Sequence, residues 1–147
     1  MAHVRKQIRD RISSTLSSGV ALVSSRVYPS RVYPLTEVNL PAITVYSGVE
    51  TSSLLNMSSK DMIRNVTVNV DAYVRITDTF DDDIDAICVQ IEAAMAGDFT
   101  VNNLAKDAIL TSTEIDFSGD TEQPIGVARL TYNVRYVTAI DDAEAAK

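Results

Sequence analysis

Val4, Ile8, Ile12 and Leu16 recur every four residues between basic and hydroxyl positions, a spacing that lines apolar side chains along one stripe of an α-helix. The pattern predicts an amphipathic helix over residues 3–18, with Gly19 at its C-terminal end, where glycine is common. A second helical period runs from Thr79 to Met95. There Ile84, Ile87, Cys88, Ile91 and Met95 share a stripe, and Asp81, Asp82, Asp83 and Asp85 crowd the first turn. Acids in that turn complement the exposed amides and the positive end of the helix dipole, each by ~0.3–1 kcal/mol before mutual repulsion is subtracted. Gly97 is expected to end this helix.

Elsewhere the period is two. Val66, Val68, Val70, Ala72, Val74 and Ile76 alternate with Thr67, Asn69, Asp71, Tyr73 and Arg75, which predicts a strand with one buried and one wet face. Ala42-Ile43-Thr44-Val45-Tyr46 is a shorter β-branched strand closed by Gly48, and residues 109–117 and 126–138 are two more. The last two are joined through Ser118-Gly119-Asp120-Thr121, and their closeness suggests an antiparallel hairpin. Residues 49–62 are polar and irregular and read as a long loop, yet they carry Leu54, Leu55, Met57 and Met62, which need cover. Residues 20–41 hold Pro29, Pro34, Pro41 and the tandem Arg26-Val27-Tyr28-Pro29-Ser30-Arg31-Val32-Tyr33-Pro34. A five-residue repeat flips strand faces between copies and each proline removes a ladder donor, so this stretch is an edge strand or an extended loop. The resulting order predicts an α+β fold, a mainly antiparallel or mixed sheet with two main helices packed on one face. Residues 1–140 read as one domain, and residues 141–147, small and acidic, as a flexible acidic tail.

Composition narrows the function classes. With 147 residues, 46% of them hydrophobic, the chain can build a core without covalent or metal staples. Its single Cys excludes an internal disulfide framework or a thiolate zinc cage, and its single His, His3, argues against a histidine-based metal or acid–base site. A net charge of -7 argues against the diffuse basic surface of an ordinary nucleic-acid binder. Apolar runs are far shorter than the ~20 residues that span a bilayer, so no membrane segment is expected. The N-terminus enters an amphipathic pattern instead of a signal-peptide apolar block, which points to cytosolic synthesis. Residues 1–36 carry six basic groups and one acid, whereas residues 37–147 carry seven basic and nineteen acidic groups. Such polarity suits head-to-tail attachment of copies, or an acidic surface to which polyanions do not stick; two separately solvated faces are the alternative.

No catalytic constellation is legible. The sequence contains no G-x-S-x-G elbow, no phosphate-cradling G-x-x-x-x-G-K and no H-E-x-x-H. Cys88 lies on the apolar stripe of its helix, where a thiol is usually an inert small hydrophobe. The Asp81–Asp85 cluster lacks the turn glycine and terminal Glu of an EF-hand and reads as helix capping, so neither a metal nor a cofactor is expected. Arg5, Lys6, Arg9 and Arg11 lack interleaved aromatic platforms for nucleic acid and suit an acidic protein surface. Tyr28 and Tyr33 on a proline-broken edge, and Leu54, Leu55, Met57 and Met62 on a loop, are apolar material expected at an interface, unless they fold back as a satellite cluster over the sheet. The candidate interface set is therefore Arg5, Arg9, Arg11, Tyr28, Tyr33, Leu54, Leu55, Met57 and Met62.

Several segments, in order, resemble a known family. They are the opening amphipathic helix at 4–16, Val32-Tyr33-Pro34 followed by Leu40-Pro41-Ala42-Ile43-Thr44-Val45-Tyr46, the acidic helix at 80–95, and the ending Thr113-Glu114-Ile115 … Glu122-Gln123-Pro124-Ile125-Gly126-Val127-Ala128-Arg129-Leu130-Thr131-Tyr132. Together they are similar to the tail terminator, or tail completion, proteins of long-tailed bacteriophages, the group of the lambda-type minor tail protein U. The resemblance covers most of the chain. It implies an α/β subunit of a virion, assembled in the host cytoplasm, that forms a six-membered ring on the last ring of the tail tube. The ring would stop tube growth and present a surface to the head. The implied partners are further copies of itself, the tail tube protein and a head completion or connector protein, with DNA passing through an acidic lumen without specific binding. The doubled Arg-Val-Tyr-Pro departs from the single copy expected. A tail tube subunit or a head–tail connector fits the composition equally well, and a small hydrolase would need a polar constellation that the sequence lacks.

Overall fold

The computed structural model describes residues 2–23, 26–28, 41–75, 78–118 and 125–147. The two predicted helices are present as α1 (Val4–Gly19) and α2 (Phe80–Gly97), each with its predicted apolar stripe buried. His3 caps α1, its Nδ1 accepting the Arg5 amide at 3.0 Å and so satisfying one of the orphan donors of the first turn. Gly19 is not a left-handed cap, since no described glycine has positive φ. A Cβ there would lie 2.9 Å from the Ala94 Cβ, so the missing side chain lets α1 cross α2 closely. In the first turn of α2 the Thr79 hydroxyl donates to Asp83 at 3.2 Å.

Among the described residues, six strands form one mixed sheet: β1 (Val27–Tyr28), β2 (Ala42–Leu54), β3 (Met62–Arg75), β4 (Asp107–Ser118), β5 (Ile125–Ala139) and β6 (Asp142–Ala146). The order is β1-β2-β3-β5-β4, with β6 also pairing β5; only β1 runs parallel to its neighbour. The register Val66↔Val134, Val70↔Leu130 and Ala72↔Ala128 stacks the alternating apolar residues of β3 and β5 on one face. Both helices cover that face and join it in one core cluster. Each fully buried Val, Leu or Ile contributes on the order of 1.5–3 kcal/mol of transfer free energy. Gly126 admits the Phe80 ring: a Cβ would fall 2.0 Å from it, so this close approach pins the start of α2 onto β5. The architecture is α+β, as the element order predicts.

Two expectations are corrected. Residues 49–62 are not a loop but the outer end of a long hairpin: β2 continues to Leu54, β3 starts at Met62, and only residues 55–61 turn. The period-two signal is missing because both faces of this ribbon are largely exposed, and because a β-bulge shifts the pairing from Ser47↔Val68 to Glu50↔Val66 and inverts the parity of the residues beyond it. The turn closes through Leu55 N–H to the Asp61 carbonyl at 2.7 Å, and Asn56 Oδ1 accepts the Ser58 amide at 2.8 Å. The tail expected to fray instead pairs as β6, with Ala146 opposite Thr138, and Lys147 reaches the Asp61 carboxylate at 2.8 Å. β5 extends beyond the start of β4 and leaves backbone groups for the tail to bind. Val27 and Tyr28 form an edge strand on Ile43 and Thr44, one of the two forms expected, while Tyr33 lies outside the described residues.

Candidate assembly surfaces

Three basic groups of α1, Arg5, Lys6 and Arg11, are joined to acids of the same chain, and Arg9 is bonded to a hydroxyl. Arg5 Nη1 lies 2.6 Å from Glu50 Oε2, which Arg64 also approaches at 3.7 Å, and the Tyr136 hydroxyl donates to the other Glu50 oxygen. The bulge at Gly48-Val49 makes this node possible, because it turns Glu50 toward the helix side, opposite buried Val66. Burial and the Glu50 carboxylate together push the Tyr136 hydroxyl well above the usual phenol range. Arg9 Nη1 donates to Ser47 Oγ at 3.2 Å, and Lys6 pairs with Asp10 one turn along at 2.6 Å. Arg11 Nε donates to Asp98 at 2.9 Å. Burial alone would raise the Asp98 carboxyl, but the Asn102 amide, Arg11 and Thr15 outweigh it and hold it below the usual carboxylate range. Much of the charge polarity is thus neutralised within one molecule.

On the sheet face away from the helices, Asp71 is buried at 1% exposure beneath a polar network. Arg129 spans it with Nε and Nη2 at 3.0 and 3.3 Å, and the hydroxyls of Tyr46 and Tyr73 donate to Oδ2 at 2.9 and 3.4 Å. Burial, then hydrogen bonding to Asp71, push the Tyr46 hydroxyl up to about 12. Desolvation by burial raises Tyr73 as well. Asp71 and Arg129 are direct cross-strand partners. Alternation alone assigns both to a wet face, and only the two nearby tyrosines hint at a covered ion pair.

Leu54, Leu55 and Met57 gather at the end of the β2–β3 hairpin, with Met57 77% exposed, while Met62 at the base of the turn is half-buried. Val49, in the bulge, is 72% exposed. The turn also carries exposed Lys60 in a left-handed conformation, φ 56°. Tyr28 is half-buried on the opposite part of the sheet edge, so the structure does not bring it together with the hairpin tip.

A second apolar surface escapes sequence reasoning. A groove of about 560 Å³ runs between the C-terminal half of α2 and the β4 edge, lined by Glu92, Met95, Ala96, Phe99, Ala108, Ile109, Leu110 and Tyr132. Phe99 and Ile109 remain 53% and 54% exposed. The segment that carries Phe99 is fixed by a left-handed turn with φ 50°, 55° and 64° at Val101, Asn102 and Asn103. Asn tolerates that region, but a β-branched valine is strained there; burial of Val101 in the core holds it. The only advance signal is Phe99 just past Gly97, outside the helical stripe.

Cys88 and His3, the two residues whose type invites a catalytic reading, lie in the core and at a helix cap. Cys88 faces the core, and burial, reinforced by Glu92 and Asp85, pushes its thiol up to about 11, so it is protonated at neutral pH. His3 is lowered by burial and by Arg5, consistent with a neutral cap that accepts from the backbone. No described helix is long and apolar enough to cross a membrane. No protein-family model matches the sequence, and no curated protein matches it. Among solved structures, a chain from the structure titled "Virion of native gene transfer agent (GTA) particle" aligns with a TM-score of 0.44 at 14% identity, covering 92% of each chain.

Proposed function

We propose that this chain is a structural protein of a long-tailed phage virion, a tail terminator whose copies close into a six-membered ring on the end of the tail tube. The ring stops tube polymerisation and offers the head or neck its attachment surface. The observation that carries this reading is the ordered set of sequence segments similar to tail terminators, spanning the opening helix, the segment Leu40-Pro41-Ala42-Ile43-Thr44-Val45-Tyr46, the acidic helix and the Thr113–Tyr132 ending. Two apolar surfaces on a small acidic domain agree with it, since contiguous exposed apolar area marks interfaces. The proposed role is non-enzymatic and works through shape and contact. Its partners are further copies of the chain, the tube protein and a head completion or connector protein, and DNA passes through the ring unbound.

Removing the gene from its phage and imaging the tails by negative stain tests the proposal. A terminator predicts overlong tubes without heads. Tails of normal length contradict it, and tails that never form assign the chain to the tube itself.

A further inference from the structure

We infer that the hairpin tip of one copy seats in the α2–β4 groove of a second copy. The inference rests on the proposed ring and names the contact that closes it. The tip presents Leu54, Leu55 and Met57 with little cover, and the groove presents Phe99, flanked by Ala96 and Leu110, above Met95 and Tyr132. Met57 suits this groove because an unbranched thioether adapts to irregular apolar walls and packs favourably against the edges of aromatic rings such as Phe99 and Tyr132. Charge agrees with shape. Lys60 is the exposed cation of the turn, and Glu92 is the charged residue lining the groove. Asp85 lies two helical turns before Glu92, and both act on Cys88, so the helix surface leading into the groove is negative.

One molecule cannot satisfy itself this way. The tip projects past the Met62↔Thr138 pair, whereas the groove lies where Ile109 pairs with Asn133 on the far side of β5. Five residues along the strand direction and two strand spacings across amount to roughly 17 Å and 10 Å. The hairpin is held in register by its own backbone pairs and by β5 and cannot bend back over that distance. Each copy therefore carries one knob and one socket at separate places, a heterologous arrangement that closes into a ring when the rotation permits.

The test uses the full-length chain with two substitutions at exposed positions, Met57→Asp in the tip and Phe99→Asp in the groove, each checked for a native circular dichroism spectrum. Ala96→Asp, at an exposed position of α2 in the same groove, substitutes for Phe99→Asp should the latter misfold. Sedimentation velocity should show each variant self-associating at least ten-fold more weakly than wild type. An equimolar mixture should form a discrete 1:1 pair, because one variant keeps an intact groove and the other an intact tip. Lys60→Glu should weaken association, and adding Glu92→Lys to the same chain should restore it. Variants that assemble like wild type, or a mixture that yields no pair, overturn the docking and leave the ring untouched. Wild-type chain that forms no ring on tube ends contradicts the terminator reading itself.

Discussion

β2 and β3 change character along their length. From Ala42 to Val45 every residue of β2 is buried, and every second residue of β3 from Val66 to Val74 faces the helices. Beyond the bulge, Val49 and residues 51–54 face solvent, and the ribbon is held by backbone pairs, the Glu50 node and the Lys147–Asp61 bridge. β5 pairs β3 along both halves, as far as Met62↔Thr138, and β1 adds pairs to β2 only at Ile43 and Thr44, so apolar burial is the main difference between them. Stability resides in the base, and the arm carries side chains whose burial requires another molecule. Only residues 55–61 reach past the last pair with β5, and the Lys147–Asp61 bridge holds the near end of that turn.

Substitutions that break the base should dominate stability. Leu130→Ala, at 0% exposure in the centre of β5, should cost ~2–5 kcal/mol by urea denaturation, because the surrounding strands and helices relax only partly into the cavity. Arg129→Ala should cost less than the ~3–5 kcal/mol of a fully buried pair, since the Arg129 side chain is 45% exposed and Asp71 keeps the hydroxyls of Tyr46 and Tyr73. Cys88→Ala should cost on the order of 1 kcal/mol and leave assembly intact, as expected of a small group buried in the core.

A pH titration sharpens the same contrast with a smaller effect. Tyr46, Tyr73, Tyr132 and Tyr136 all belong to the base and its anchor, and each hydroxyl is raised first by burial. A raised folded-state value means that the native state holds these protons more tightly than the unfolded chain. Their contribution is complete below about pH 10 and declines as pH rises from there toward about 12. Unfolding midpoints should fall across that window. Asp98, held low, acts in the opposite range, and its contribution declines as pH drops below the ordinary carboxylate value.

Much of this fold is legible in the sequence because burial on one face writes a period. Val4, Ile8, Ile12 and Leu16, and the β3 alternation from Val66 to Val74, each follow from one covered side. The arm is not legible because both faces are wet and the bulge at Gly48-Val49 inverts the parity. The tail is not legible because Asp142–Ala146 owes its strand to free backbone groups on β5, a tertiary opportunity that no local pattern records. The apolar residues at positions 54, 55 and 57 are identifiable from the sequence as material needing cover. Their complement, Phe99 and Leu110 beside Met95 and Tyr132, comes together only when α2, a left-handed turn and β4 converge. The charge of Arg5, Arg9 and Arg11 is visible in the sequence, but its pairing with Glu50, Ser47 and Asp98 is set by tertiary structure.

The central claim is that the arm is an assembly element resting on an independently stable base. Amide hydrogen exchange, compared residue by residue between the free chain and the assembled state, tests it most directly. The account predicts that β3 and β5 amides from Val66 to Val74 and from Ala128 to Val134 are strongly protected in both states. Amides of residues 54–61 should exchange readily in the free chain and gain protection on assembly, together with those around Phe99 and Ile109. Equal protection of residues 54–61 in both states would contradict the claim.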